Sequence, residues 1–481
     1  MASKKSAAAS AASPGDIYIE ESAIEAREGI SEKGESLLSI YWRRFRKHTL
    51  GKVGAIILII LYGAALLADF ISPFDMTWTD KTKSYHPPTR IFWLYSDRGK
   101  TIFRPHTYEK WNTNVALKTY GAVPAYTLRA VSIESVAGNM GLRVVIREKN
   151  PIAQKNLLVA EVANYYNLPA NHDAMRRLAA EIDDIRREKA DDITYRIKIG
   201  NSKINGKDVV QELLLVKGNK NFVKFFAQGL PYTFLNMFTS RTHLFGSQTG
   251  GYFPLGTDRL GRDMVSRLLH GSRVSLTVGL LGAAITFTIG LLFGGIAGYF
   301  GGVVDNVMMR FSEVVISFPS IYLLFTLRAV FPPSLNSIQV YLLIVLIISF
   351  IGWARLGRII RGMVLSLKNE DYVLSAKTMG LSNIKIITKH ILPNTLSFVI
   401  IQVTISIPSY ILGESALSLL GLGISEPQSS WGLMLSVARN FRVVRDFPWV
   451  LIPGFLIFLA IMAWNFFGDG IRDAVDPRSR H

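Results

Sequence analysis

Two acids stand in or beside the apolar runs of this chain, Asp69 and Glu414. Ionisable groups at membrane depth are costly, and they serve ion coupling when they come in pairs or rings. Each of these stands alone in its segment, which is thin support for an ion-coupled carrier or a channel. Asp69, at the far end of its run, reads as an acid wetted at the outer interface. Other reactive constellations are missing. The chain has no cysteine, hence no thiolate nucleophile, disulfide or thiolate metal site. Its eight histidines are scattered without ligand spacing, so neither a metal centre nor a nucleophile–base pair is expected. G-x-x-x-x-G-K-[ST], HExxH, GxSxG and GxGxxG are absent from the sequence. The expectation is a chain without catalytic residues, cofactor or metal of its own, and not an enzyme.

The elements that would position Asp69 and Glu414 are apolar runs. Of the 481 residues 49% are hydrophobic, and they gather in uncharged stretches, as in a protein that crosses a bilayer repeatedly. Spans are expected at about 53–71, 274–300, from Arg310 to a turn at Arg328–Ser334, 338–354, 396–411 and 447–467. Pro319 should kink the third. The net charge of +18 would suggest nucleic acid in a soluble protein. Here the basic residues flank spans, so anionic lipid is the expected partner and nucleic acid is not. Tyr41-Trp42 beside Arg43, Arg44, Arg46 and Lys47 marks an interfacial, cytoplasmic approach to the first span. Arg355, Arg358 and Arg361 put the end of the fourth on the same side. The first apolar run starts too late, after a mixed polar tail, for a cleavable signal peptide.

Residues 1–36, Ala/Ser-rich and then mixed in charge, read as a disordered cytosolic tail. Residues 37–72 form the amphipathic basic segment and first span. Residues 73–270 read as an extracytoplasmic α+β insert. Its alternating segments Ile193–Ile199 and Val209–Val216 suggest strands, and Asn205-Gly206 a hairpin turn. A helix between Asn171, as its cap, and Lys189 would bury Met175, Leu178 and Ile182. Arg186, Arg187 and Lys189 read as a solvated face. A five-helix core follows at 271–469, then a cytosolic tail at 470–481. In the second span Gly282, Thr286, Gly290, Gly294, Gly298 and Gly302 recur every four residues, a face on which another helix can approach closely. Arg310 and Glu313, one turn apart, can pair. Between the fourth and fifth spans the polar stretch 365–394 predicts a helix over Asp371–Met379, a break at Gly380 and a helix over Asn383–His390. Gly380 would end the first helix, Ser382 cap the second, and Pro393 stop it.

Several of these stretches resemble one family. Ser375-Ala376, Gly380 and Leu392-Pro393 are similar to the loop by which ABC importer permeases grip their ATPase, whose pattern is Glu-Ala-Ala, three residues, Gly, nine residues, Ile-x-Leu-Pro. Leu374, Ser375 and His390 depart from it. The string from Leu255 through Gly256, Thr257, Asp258, Gly261, Arg262 and Asp263 to Ser275-Leu276 closely resembles the segment before the second span of C-type permeases in oligopeptide and dipeptide ABC importers. Gly298–Gly302 with Asp305, Met308 and Arg310 does so too, as do Glu414, Ser418–Gly423, Pro427 and Ser430–Gly432 and the end of the chain.

The resemblance implies an all-α polytopic membrane protein with six transmembrane helices of the ABC importer permease type. It implies residence in a bacterial inner membrane with both termini cytoplasmic. The implied partners are a second homologous permease, two P-loop ATPase subunits that bind the ATP and magnesium, and an extracytoplasmic solute-binding protein. The implied solute is an oligopeptide or dipeptide; nickel, a glycopeptide or another small solute would suit the same architecture. Ser375, Ala376, Gly380, Leu392 and Pro393 would be the coupling residues. Gly256 to Asp263 would form an outer motif. Glu414, Gly421, Gly423 and Trp431 would line the pathway, Glu414 either bonded to backbone or meeting a peptide amine.

Overall fold

A computed structural model describes residues 37–475 other than 98–99, 115, 123–127, 137–138, 148–162, 164–168, 170–171, 188–193, 205–206, 218–219, 235–236, 248–250, 331 and 333–334. The tail read at 1–36, the Asn171 cap, the basic face at 186–189 and the Asn205-Gly206 turn lie wholly or in their side chains outside the described residues.

A short helix α1 (Leu37–Phe45) leads into α2 (Thr49–Leu66), whose N-terminus is capped by His48 accepting from Gly51 N–H at 2.8 Å. A short α3 (Ala68–Ile71) follows. The insert then builds two four-stranded antiparallel sheets and a hairpin. The first sheet has the order β1 (Phe92–Asp97), β2 (Lys100–Tyr108), β9 (Lys220–Phe234), β10 (Phe238–Ser247). The second has the order β6 (Asn139–Arg147), β5 (Leu128–Val136), β8 (Lys207–Lys217), β7 (Thr194–Ile204). The hairpin is β3 (Lys110–Asn114) with β4 (Thr119–Ala122). The helix α4 (Asp173–Arg187) buries Met175, Leu178 and Ile182, the stripe expected from a period of 3.6.

The remaining helices are α5 (Met264–Phe300), α6 (Gly302–Ser317), α7 (Ser320–Val330), α8 (Ser337–Leu367), α9 (Asp371–Thr378), α10 (Asn383–Ile386), α11 (Leu396–Leu419), α12 (Trp431–Leu435), α13 (Phe441–Asp446) and α14 (Ile452–Val475). Five helices among the described residues are long and apolar enough to cross a membrane: Thr49–Leu66, Met264–Phe300, Ser337–Leu367, Asn383–Leu419 and Pro448–Val475. At 1.5 Å per residue α5 is roughly 55 Å long. That exceeds a hydrocarbon core of about 30 Å, so one or both of its ends project beyond it.

Three expectations need correction. The third span is not one kinked helix but two short ones, α6 and α7, broken at Phe318-Pro319. Phe318 takes the extended conformation that a following proline imposes. Pro393 does not stop a helix. A π turn at Ile387–Ile391 and a 3₁₀ turn at Leu392–Thr395 carry the chain around the proline ring and into α11. The stretch read as a tail from 470 is helical as far as Val475, as the last turns of α14. It is held because a Cβ on Gly470 would lie 2.8 Å from the Gly51 Cα, so α2 and α14 meet backbone to backbone.

The glycine face of α5 packs within the chain, against α8. A Cβ on Gly290 would lie 2.7 Å from a Leu356 methyl, on Gly294 2.4 Å from the Gly357 carbonyl, and on Gly298 2.8 Å from the Arg361 carbonyl. Gly302 does not join them. It is the first residue of α6, at φ +56 with open space around it.

Candidate functional site

Two polar constructions stand at the ends of this helical frame. The first is the loop between α8 and α11. Helix α9 closes as a glycine-terminated helix does: Gly380 lies at φ +77, and Leu381 N–H reaches back to the Ala376 carbonyl at 3.2 Å. Ser382 occupies the cap position of α10, but its side chain makes no capping bond. The inner face of the loop is apolar and buried: Val373, Ala376, Ile386, Ile387, Ile391 and Leu392. The outer face carries Tyr372, Leu374, Met379 and Ile384, the last two 72% exposed. Of the coupling residues expected from sequence, Ala376 and Leu392 therefore anchor the loop, while Ser375, Gly380 and Pro393 lie on its outside. A Cβ on Gly380 would meet nothing within 4 Å. The loop is tied to the end of α5 by Tyr299 Oη and Asn383 Oδ1 at 3.0 Å, and braced by Asn394 Nδ2 donating to the His390 carbonyl at 2.7 Å.

The second construction surrounds the start of α5. Gly261 lies at φ +74, and a Cβ there would sit 1.8 Å from the Asp80 carbonyl, so only glycine fits. Gly256, at φ +79, turns the chain against His86. Thr257 Oγ1 donates to the Lys83 carbonyl and accepts from His86 N–H. Lys83 is itself buried with Glu109, Nζ to Oε1 at 3.2 Å, and donates to the Lys110 carbonyl, which ties this motif to the start of β3. Asp263 caps α5, accepting from the Ser266 amide and hydroxyl, each at 2.7 Å.

Asp258, Arg262, Arg267 and Glu426 form a closed ionic cluster. Asp258 accepts from the amides of Leu260 and Arg262, from Arg262 Nε at 2.7 Å and from Arg267 Nη1. Glu426, on the segment after α11, accepts from Arg262 Nη2 at 2.8 Å and Arg267 Nη2 at 3.1 Å. Two acids and two guanidinium groups balance, and the bonds join residues about 160 apart in the chain. Sequence reading did not single out Glu426, because nothing local marks it.

Burial alone would push the Glu426 carboxyl up. The bonds and charges of Arg262 and Arg267 outweigh it and hold the group below its ordinary value of 4.5. A depressed carboxylate stabilises the folded state above its unfolded pKa, and that contribution is lost as pH falls through the folded value. The thermal midpoint of the purified protein should therefore drop as pH is lowered below about 4.5. Glu426→Gln should flatten that part of the profile. An equal slope in both proteins would exclude the cluster as its source.

Glu414 is fully buried within α11 rather than lying beyond its end. Its carboxylate accepts from hydroxyls, Ser418 Oγ at 2.7 Å and Ser275 Oγ at 3.1 Å, not from backbone. Ser275 Oγ in turn accepts from Trp431 N–H at 3.1 Å, and Trp431 Nε1 donates to the Leu268 carbonyl. Trp431 is also fully buried, and a Cβ on Gly423 would lie 2.0 Å from Ser418 Oγ. Gly421, at φ +82, has open space. Asp69 is not simply wetted: His270 Nε2 lies at 3.0 Å and Arg273 Nη2 at 2.7 Å, locking α3 to α5. Arg310 and Glu313 pair at 2.8 Å on an exposed face, and Arg361 makes a two-pronged pair with Asp305. Among the described residues no group of three or more His, Asp or Glu could hold a metal ion.

Residues 36–88 match the N-terminal transmembrane domain of oligopeptide transport permease C. The dipeptide transport system permease protein of Bacillus subtilis is 42% identical over 225 residues, 47% of this chain and 68% of that one. The oligopeptide transport system permease protein of Haemophilus influenzae is 45% identical over 231 residues, 48% of this chain and 72% of that one. Its Escherichia coli counterpart is 42% identical over 235 residues, 48% and 74% respectively. Residues 290–481 match the binding-protein-dependent transport system inner membrane component, and the chain belongs to that family of membrane permeases.

Proposed function

We propose that this chain is one permease subunit of an ATP-driven importer that moves oligopeptides or dipeptides across a bacterial inner membrane. It works beside a second permease of the same build, two P-loop ATPase subunits and an external solute-binding protein. The chain crosses the membrane six times, with α6 and α7 together as the third crossing and both termini cytoplasmic. The insert at 73–270 then lies outside the cytoplasm, where it meets the binding protein or caps the route in.

The observation that carries this reading is the loop at Glu370–Asn394. It lies between two spans, its buried Ile387 and Leu392 pack on α5 at Gly295, and its outer face presents Met379 and Ile384 to a partner. We read this exposed apolar pair, on a loop whose other face is buried, as the surface that docks on an ATPase. ATP-driven closure of the ATPase pair pulls on this surface, and the Tyr299–Asn383 tie passes the movement to α5. The spans then repack between inward-open and outward-open arrangements. The segment from Gly421 to Pro427 lines the route, and Glu414 and Trp431 brace it from behind. No covalent step takes place on this chain.

The test is gentle detergent purification with the co-purifying chains identified by mass spectrometry. A second multi-span permease and one or two P-loop ATPases are expected. Recovery of this chain alone, under conditions that preserve known ABC complexes, would reject the reading.

A further inference from the structure

The insert carries an apolar surface that its own fold leaves uncovered. In the sheet β1-β2-β9-β10, the ladder between β2 and β9 runs only from Tyr108–Lys220 to His106–Phe222. Three residues beyond that ladder stand Phe103 on β2 and Phe225 on β9, the latter still paired with Phe245 of β10. Leu94 pairs with Phe103 from β1, and the Trp93 ring stacks on Phe103 at 6.1 Å. Next to Phe225, Phe226 lies at φ +52, a backbone conformation that is an outlier for a bulky residue. All five side chains are exposed, Phe103 at 66% and Phe226 at 65%. Monomeric soluble surfaces rarely gather so many large apolar groups without a partner.

Position identifies the partner. The Phe226 ring lies 6.4 Å from that of Phe70 in α3, which directly follows the span α2. His243 of β10 bonds the Ser72 carbonyl at 2.6 Å, fixing the sheet to the end of that span. The outward side of α2 exposes Ile56, Ile59, Ile60 and Leu66, with Leu67 following at its C-cap, the side chains a lipid-facing helix presents. Through Phe226 the patch thus adjoins the end of the apolar surface of α2. Exposed Lys224 and Arg104 stand beside it. Aromatic rings with basic neighbours suit the boundary between headgroups and acyl chains.

We infer that the region where β2 and β9 part, with Trp93, Leu94, Phe103, Phe225 and Phe226, seats in the lipid interface of the leaflet where α2 ends. The insert thereby has a second attachment to the bilayer besides the chain itself. This would hold it at a fixed tilt over the outer motif of α5. The seat concerns residues outside both family matches, which cover 36–88 and 290–481, except for Phe70.

The absence of cysteine makes the test direct. Phe226→Cys and Phe103→Cys, each carrying a nitroxide, are reconstituted as the full complex in phosphatidylethanolamine–phosphatidylglycerol vesicles. Relaxation by oxygen, which concentrates in the acyl region, is compared with relaxation by a water-soluble nickel chelate. At both positions oxygen should be several-fold the more effective. Greater sensitivity to the nickel chelate at either position would show a water-facing patch and overturn the inference. So would protection from both reagents, which would put a protein partner there instead.

Discussion

Replacing Met379 and Ile384 together with aspartate will bring solute-stimulated ATP hydrolysis by the reconstituted complex down to its basal level. Both side chains are 72% exposed in this chain, so their loss removes nothing from its own core. Membrane insertion and thermal stability should stay close to wild type. If the two side chains fill grooves on an ATPase, each loss at a buried contact costs at least ~2 kcal/mol, about a 30-fold weakening. Two together predict roughly a thousand-fold fall, with the non-additivity expected of neighbouring contacts. Gly380→Val is the companion. Nothing lies within 4 Å of a Cβ there, so any effect within the chain comes from the left-handed backbone at φ +77, at about 1–2 kcal/mol. It should redirect the helix α10 and impair coupling without expelling the loop from the fold. Unchanged stimulation in the aspartate variant, measured as ATP turnover with and without loaded binding protein, would reject this loop as the coupling surface.

What could be read without coordinates was what depends on near neighbours. The stripe Met175, Leu178, Ile182 followed from helical period, and the glycine termination at Gly380 from backbone freedom. The Gly290–Gly298 face was legible because four-residue spacing of small residues has few other uses in an apolar helix. Its partner was not, since nothing in that spacing distinguishes α8 from another subunit. Pro393 was misread because the rule for prolines assumes an unbroken i to i−4 ladder, and a π turn escapes it. The break at Pro319 went further than a kink, because Phe318 left the helical conformation entirely. Glu414, expected beyond a helix end, lies inside α11 and bonds Ser418 of its own helix and Ser275 of α5. Glu426, Glu109 and the Asp69 partners His270 and Arg273 lie beyond any local rule. Each depends on chain segments brought together by the fold, and a charge carries no mark of its distant partner.

The ionic cluster is where such a long-range assembly should cost most to disturb. Asp258→Ala is expected to destabilise the folded protein by about 3–5 kcal/mol, because it leaves buried guanidinium groups without their shared carboxylate. The side chains of Arg262 and Arg267 are only 10% and 5% exposed, so water cannot replace Asp258 there. The same change also frees the amides of Leu260 and Arg262 from their acceptor. Asp258→Asn keeps an oxygen for those amides but not the charge, and should fall between the alanine variant and wild type. Glu426→Ala should cost less than Asp258→Ala, about 1 kcal/mol, since its side chain is 46% exposed and solvent can take its place. The order Asp258→Ala, Asp258→Asn, Glu426→Ala can be read from thermal unfolding in detergent at neutral pH. An Asp258→Ala midpoint within a degree of wild type would mean that the arginines find water or another acid. The start of α5 would then be held to the segment after α11 by uncharged bonds, Ser429 to the Arg267 carbonyl and Trp431 to Ser275 and the Leu268 carbonyl, rather than by charge.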